Sequence, residues 1–357
     1  MGTRDGAGMI PPTYQRAGSV QQALHALADS QGANTTIRCI AGGTNLLDLM
    51  KLQLMTPATL VDVNRLPLDA IEQREDGGLR LGATARNADT AWHPLVEGNY
   101  PLLSAAMLAA ASPQLRNMAS NGGNLLQRTR CTYFYDRATP CNKREPGTGC
   151  SAVGGLTRHH AILGASEHCI ATHPSDMCVA LAALEATVHV ASVRGERTIP
   201  FAEFHRLPGD APHIDSTLQP DELILRIELP PAPEYAAHSA YLKVRERLSY
   251  AFALVSVAAA LDIADDGSIR GARLALGSVA HKPWRDPAAE ALLVGQRPGT
   301  EAFAAAADRL LDGAVSQGQN AFKIPLAHRA IIRALTTAAN GTVTNQGVPL
   351  LPTGDAA

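Results

Sequence analysis

The sequence lacks most of the short signatures by which nucleotide and metal chemistry is usually read. In 357 residues there is no G-x-G-x-x-G after a strand-like run, no Walker lysine loop and no H-E-x-x-H, so the common dinucleotide, NTP and zincin readings lack support and a Rossmann fold is disfavoured. A charge excess is missing too. Lys plus Arg is 31 against Asp plus Glu 33, a formal charge of −2, with no long basic run, which leaves no electrostatic reason to invoke nucleic acid. The most apolar stretch, Ala251 to Leu261, falls short of the roughly 20 residues that cross a bilayer, so no membrane span is expected. The opening MGTRDGAGMIPPTYQ has no basic head followed by an apolar core; no secretory signal is read on this chain, and it is expected to be soluble.

What is present begins with length and thiols. A chain of 357 residues exceeds the usual size of one core, so two or three domains are expected. Four of its six cysteines, Cys131, Cys141, Cys150 and Cys169, fall within 39 residues, with 9, 8 and 18 residues between them. Disulfides are mostly a feature of small secreted domains, and structural zinc favours short C-x₂₋₄-C knuckles, of which there is none. A 4Fe-4S cluster needs thiolates converging on a larger object, and loops of this length can wrap it. Spacing alone leaves cluster, zinc and disulfide open. Cys39 and Cys178 lie outside the pattern and read as small buried residues.

Around these thiols, from Gln127 to Ala165, periodicity disappears, which in a compact domain points to a functional loop. Its basic side chains, Arg128, Arg130, Arg137, Lys143, Arg144 and Arg158, would offset the negative charge of a thiolate cluster. His159, His160, His168 and His173 read as exposed or hydrogen-bonded rather than metal-bound, because a four-thiolate set already completes such a cluster.

Two glycine turns stand out. Thr36 to Ile40 reads as a strand ending in Ala41-Gly42-Gly43-Thr44-Asn45, and Leu46 to Leu52 as a helix. Such a turn can aim several backbone N–H groups at a phosphate, although an ordinary strand-to-helix turn fits the glycines equally. The second, Ser120-Asn121-Gly122-Gly123-Asn124, follows a helix that starts at Pro101. Thr59 to Val63 and Leu79 to Ala83 read as strands around the Asp76-Gly77-Gly78 turn, leading into Gly82-Ala83-Thr84, which is expected to face the same ligand.

Pro174-Ser175-Asp176 precedes a helix from Met177 to Ala186, with Ser or Asp as its cap. Strands follow at Thr187 to Val193 and Leu223 to Leu229. Pro230-Pro231-Ala232-Pro233 reads as a stiff linker and the main domain boundary. Beyond it, Ser239 to Val244, Phe252 to Ile263 and Ile269 to Gly277 suggest antiparallel strands. Glu301 to Leu311 and Lys323 to Ala339 suggest amphipathic helices, completing an α+β domain. The expected division is residues 1–230, 235–340 and a poorly ordered tail, 341–357.

Taken in order, Ala41-Gly42-Gly43-Thr44-Asn45-Leu46, Gln114-Leu115-Arg116-Asn117 leading to Gly122-Gly123-Asn124, Pro174-Ser175-Asp176, Glu222-Leu223-Ile224 and Lys243 resemble the flavin-binding subunits of molybdenum hydroxylases. Leu125 to Cys131, Pro140 to Arg144 and Gly149-Cys150 resemble the periplasmic aldehyde oxidoreductase branch, whose flavin subunit carries an additional 4Fe-4S cluster. The resemblance implies an α+β fold: a PCMH or vanillyl-alcohol-oxidase-type FAD-binding domain of two lobes, then the family's C-terminal domain.

It also implies site residues. Ala41, Gly42, Gly43, Thr44, Asn45 and Leu46 would wrap the FAD diphosphate. Ala119, Ser120, Gly122, Gly123 and Asn124 would hold the flavin and ribityl region, Asp176 would bond to the cofactor, and the Ile224 backbone and Lys243 would lie beside the isoalloxazine. Read without the family, Lys243 would be an exposed strand-end lysine. Cys131, Cys141, Cys150 and Cys169 match the family's cluster ligands, in a loop of about residues 125–170.

The implied function is electron transfer from aldehyde oxidation on a large molybdenum-cofactor subunit, by way of a small 2Fe-2S subunit, to an external acceptor; no catalytic residue is assigned to this chain. Alternatives are the flavin subunit of a purine (xanthine) dehydrogenase or an aromatic coenzyme-A reductase, and, from another class, a binding module with structural zinc. The compartment is periplasm, by export on a partner, or cytoplasm.

Overall fold

The computed structural model describes residues 9–29 and 36–343; the expected tail therefore falls outside the described residues from position 344 onward. The fold is mixed helix and sheet, as expected of an α+β chain, and its described residues form three sheets. The first is parallel: β1 (Thr13–Arg16), β2 (Ile37–Ile40) and β3 (Thr59–Asp62), in the order β1-β3-β2. The helix Val20–Ala28 connects the first two, and its N-cap Ser19 accepts a hydrogen bond from Gln22 N, replacing a partner the first turn lacks.

The second sheet is antiparallel and five-stranded, with β4 (Ile71–Gln73), β5 (Leu79–Gly82), β6 (Thr187–Ser192), β7 (Gly195–Pro200) and β8 (Leu223–Leu229) ordered β4-β5-β8-β6-β7. This corrects the expected hairpin. The partner of β5 across the glycine turn is β4, with Gln73 opposite Leu79, whereas β3 is the central strand of the parallel sheet. The sequence Ile-Glu-Gln is too short and polar to show a period of two. β3, with Leu60, Val61 and Asp62 all buried, has the apolar character of a strand covered on both faces.

The third sheet, ordered β11-β10-β9, comprises β9 (Ser239–Val244), β10 (Val255–Ile263) and β11 (Ile269–Gly277). The unbroken apolar run of β10 has a clear cause. Val255, Val257, Ala259 and Leu261 face the helices Thr300–Leu310 and Lys323–Ala339, while Ala258 and Ala260 join the core shared with the five-stranded sheet. A strand buried on both faces need not alternate.

The Pro230–Pro233 stretch, expected to be a linker, is packed in place. Tyr100 donates its hydroxyl to Pro230 O at 2.8 Å, and Ala232 and Tyr235 are buried in that same shared core. Between the two large sheets runs the helix Asp176–Ala183, every residue of which is buried. Its small side chains let both sheets approach. At its tightest point, a Cβ added to Gly277 would lie 2.3 Å from Ser256 Oγ and 2.5 Å from Val179 Cγ2. Gly277→Ala is therefore expected to lower stability by about 1–3 kcal/mol through overpacking, read as a lower urea midpoint at unchanged m-value.

Candidate cofactor site

The two glycine turns meet. β2 ends at Ile40, Ala41–Asn45 turn, and the helix Leu46–Lys51 begins. Gly42 lies so close to the other segment that a Cβ there would stand 1.9 Å from Met118 O, at the end of the helix Pro113–Met118. Backbone touches backbone, which only glycine permits. A polar clasp holds the junction: Asn64 Nδ2 donates to Ala41 O (3.0 Å), Arg86 Nη2 donates to Asn64 Oδ1 (2.9 Å), and Arg86 Nη1 donates to Met118 O (2.7 Å). Neither Asn64 nor Arg86 belongs to a motif, so sequence reasoning missed both.

Ala119 leads into the second turn, where Ser120 Oγ accepts from Gly123 N at 3.3 Å. Asn121 N and Gly122 N donate to Ala85 O and Ala83 O at 3.0 and 2.8 Å, and Ala83 N donates to Leu225 O at 3.0 Å. This brings Gly122, Thr84 and the backbone beside Ile224 together. The Ile224 side chain itself is core. Asn124 donates to Asn87 Oδ1 (2.7 Å) and accepts from Ser175 Oγ (2.5 Å) and Gln127 Nε2 (2.9 Å). Two buried polar atoms at these turns have no protein partner, Asn45 Nδ2 and Thr84 Oγ1. Buried polar groups are nearly always paired, so a turn built this way fits a polar cofactor. Thr44 and Leu46 are half-buried at the same edge.

Ser175 caps the buried helix, accepting from Cys178 N at 3.1 Å, which settles the choice between Ser and Asp. Asp176 is then free for other partners: Tyr241 OH donates to it at 2.7 Å and Lys243 Nζ at 2.8 Å, while Lys243 also donates to Ala109 O at 3.0 Å. Lys243 is thus no exposed strand-end lysine; its side chain is 4% exposed and that of Asp176 6%. Burial, then the adjacent Asp176 charge, pushes the Tyr241 hydroxyl well above its usual range.

The four clustered thiols, Cys131, Cys141, Cys150 and Cys169, line one cavity with Thr129, Phe134, Lys143 and Ala171 among its walls. All are free, and Cys141 and Cys150 face each other in an isolated antiparallel bridge. Burial pushes the Cys131 thiol up to about 11. A hydrogen bond between Cys150 and Cys169 holds Cys150 down at about 6 and pushes Cys169 upward. A converging, largely buried set of unpaired thiols suits a thiolate-bound metal group. Burial also raises Cys39 and Cys178, each to about 12, as befits inert thiols; Cys178 is buried in the core, and Cys39 is half-buried at the edge of one.

The basic residues divide more sharply than expected. Lys143 lines the cavity and pairs with Asp215, which also accepts from Arg128 Nε at 2.8 Å. Arg144 instead donates to the carbonyls of Tyr133, Phe134, Asp136 and Thr139, and Arg137 to Gln53. Of the histidines, His159 is exposed and His168 half-buried, but His160 and His173 are buried. His160 Nε2 stands 3.1 Å from Cys131 Sγ. His173, His205 and Cys178 form a separate interior trio with ligating atoms within 4.8 Å of one another.

The arrangement is that of a cofactor-holding chain, with touching glycine turns on one side and a thiol cavity on the other. The sequence matches the family described as FAD binding domain in molybdopterin dehydrogenase over residues 8–232, and CO dehydrogenase flavoprotein C-terminal domain over residues 239–338. The chain therefore belongs to the FAD-binding medium subunits of the molybdenum hydroxylase family, and it is an oxidoreductase subunit.

Among its relatives, it is 51% identical to the aldehyde oxidoreductase FAD-binding subunit PaoB of Escherichia coli (strain K12), over 91% of this chain and 98% of that protein. Its fold is similar to that of quinoline 2-oxidoreductase from Pseudomonas putida 86 (TM-score 0.70, 26% identity, covering 93% of this chain and 98% of that one). It is equally similar to a carbon monoxide dehydrogenase chain from Hydrogenophaga pseudoflava (TM-score 0.70, 27% identity, 92% and 98% covered). Among the described residues no helix is long and apolar enough to cross a membrane.

Two outcomes follow. Lys243→Met, which strands Asp176 in the core, is expected to cost about 3–5 kcal/mol, measured by denaturant unfolding. Asp215 gives a pH signature. Burial opposes its ionisation, but Lys143 and Arg128 outweigh that and hold it at about 2, below the usual carboxyl value near 4. A carboxyl depressed in the folded state contributes stability above its unfolded pKa and loses it as pH falls. The stability gap between wild type and Asp215→Asn is therefore expected to stay constant from pH 7 to about 4 and to close from about 4 to 2.

Proposed function

We propose that this chain is the FAD- and 4Fe-4S-bearing electron-transfer subunit of a heterotrimeric molybdenum-dependent aldehyde oxidoreductase. On a large molybdenum-cofactor partner an aldehyde and water become a carboxylic acid, releasing two electrons and two protons. A small 2Fe-2S partner relays the electrons to this chain, and an external acceptor takes them. FAD supplies the interchange between one- and two-electron steps, and the cluster a one-electron centre.

The chain's own residues bind and tune. Ala41 to Leu46 offer backbone N–H groups, with Asn45 Nδ2 and Thr84 Oγ1 as unpaired polar atoms. Ala119 to Asn124 form the second side of the frame. Asp176 and Lys243 fix the strand and helix at its edge, and Ile224 underlies the Ala83 turn. Cys131, Cys141, Cys150 and Cys169 would hold the cluster; Lys143, lining the same cavity, would offset its charge, and Phe134 would exclude water. The observation that carries this reading is the convergence of those four thiols on one cavity, in a segment tied to the first glycine turn by Arg128 N, which donates to Asn45 Oδ1 at 3.0 Å. The aldehyde, rather than a purine or an aromatic coenzyme-A thioester, is favoured by the 51% identity to PaoB.

Absorption of the purified complex tests the proposal. Flavin bands with a broad iron-sulfur shoulder and four irons per chain are expected; a colourless chain with one zinc would overturn it. Cys150→Ser is expected to remove the iron signal while FAD stays bound. Gly42→Val, which forces the turns apart, is expected to release FAD and spare the iron.

A further inference from the structure

Two imidazoles reach the thiol cavity from distant parts of the chain. His160, in the irregular segment, places Nε2 3.1 Å from Cys131 Sγ. His281, just beyond β11, places Nε2 3.2 Å from Cys169 Sγ. Both are core residues, 4% and 7% exposed, and in each ring Nδ1 is buried without a partner.

The facing sulfur determines the tautomer. A neutral imidazole carries one N–H. Nδ1 is unpaired in either tautomer, as donor or as acceptor, but a ligating thiolate carries no hydrogen, so a hydrogen on Nδ1 would turn two lone pairs, nitrogen and sulfur, toward each other. On Nε2 the hydrogen points at the sulfur. If a ring is protonated, both nitrogens carry hydrogen and the Nε2 contact is unchanged.

Neither ring is free to swing away. The His160 carbonyl accepts from Lys323 Nζ at 2.9 Å and Asn320 Nδ2 at 3.1 Å, and its own N donates to Thr157 O at 2.9 Å. Lys323 also donates to Ser278 O at 2.6 Å, within the turn that carries His281. That turn is closed by reciprocal bonds between Leu276 and Trp284 at 2.8 and 2.9 Å, and by His173 N donating to Ala280 O at 2.9 Å.

We propose that His160 and His281 set the reduction potential of the centre bound by the four cysteines, each donating Nε2–H to a ligand sulfur. Such a bond withdraws charge from the thiolate and stabilises the more negative reduced state, so the pair raises the potential. They are positioning residues, not ligands. The inference rests on the proposed 4Fe-4S assignment and goes beyond it.

The test is an EPR-monitored redox titration of the complete heterotrimer carrying His281→Phe, His281→Gln, or His281→Phe with His160→Phe. Four irons per chain are expected in each. The cluster midpoint should shift negative in the Phe variant and further in the double variant. Gln, which keeps an N–H donor, should restore part of the shift, while the FAD midpoint holds still. An unmoved cluster midpoint overturns the inference, as does an equal shift of both cofactors.

A measurement on the unsubstituted complex guards against variants that do not fold. With ¹⁵N-histidine, pulsed EPR of the reduced cluster should show weakly coupled imidazole nitrogen, and its absence overturns the inference. A wild-type complex with no cluster signal at all would instead refute the underlying assignment.

Discussion

The rest of the structure depends on a helix with no exposed side. Asp176–Ala183 is buried throughout, and a helix in that position must satisfy its first-turn N–H groups and any charge it carries without water. Both demands fall on two adjacent residues. Ser175 caps the helix and also bonds to Asn124 in the second glycine turn; Asp176 takes Tyr241 and Lys243 from β9. The geometry of the second glycine turn and the docking of the C-terminal sheet are thus set at the same helix end. A buried ion pair adds little net stability against an apolar replacement; at Asp176 and Lys243 it fixes which strand residue faces which helix residue.

The irregular segment around the thiols meets the opposite problem. Between Leu126 and Ser175 its only α-helix is the short Thr132–Tyr135, so backbone groups that a ladder would satisfy need other partners. Arg144 serves four carbonyls, Asn142 brackets Gly149 and also reaches His168 O, and Asn320 and Lys323 take the carbonyls at 160 and 161. Side chains replace secondary structure here, and the basic residues that looked like charge compensation for a cluster divide accordingly: Arg144 is taken up by backbone, Arg128 and Lys143 hold Asp215, and Arg137 and Arg158 bond to Gln53 and Glu246.

What was legible in the sequence followed from local pattern. β8, β9, β11 and the helix Lys323–Ala339 have the bounds that the sequence suggests, because each is framed by turns. β4 was invisible because three residues, two of them polar, carry no period. The thiols announced themselves by clustering, and the glycine turns by their doublets. The clasp of Asn64 and Arg86 could not be seen, since it joins Ala41 to Met118 through residues that are individually ordinary. His281 was equally hidden, being 112 residues from Cys169.

That separation has a consequence in time. The thiols are all made by position 169, but the groups that close over them, His281, Asn320 and Lys323, belong to the last quarter of the chain. Before that part is synthesised and docked the cavity stands open; afterwards its wall is tied to the core of another sheet. Two of the four thiols, Cys131 and Cys150, remain partly exposed in the folded chain, whereas Cys141 and Cys169 are buried. The fold thus couples access to the inner pair to the docking of a sheet that is made after them.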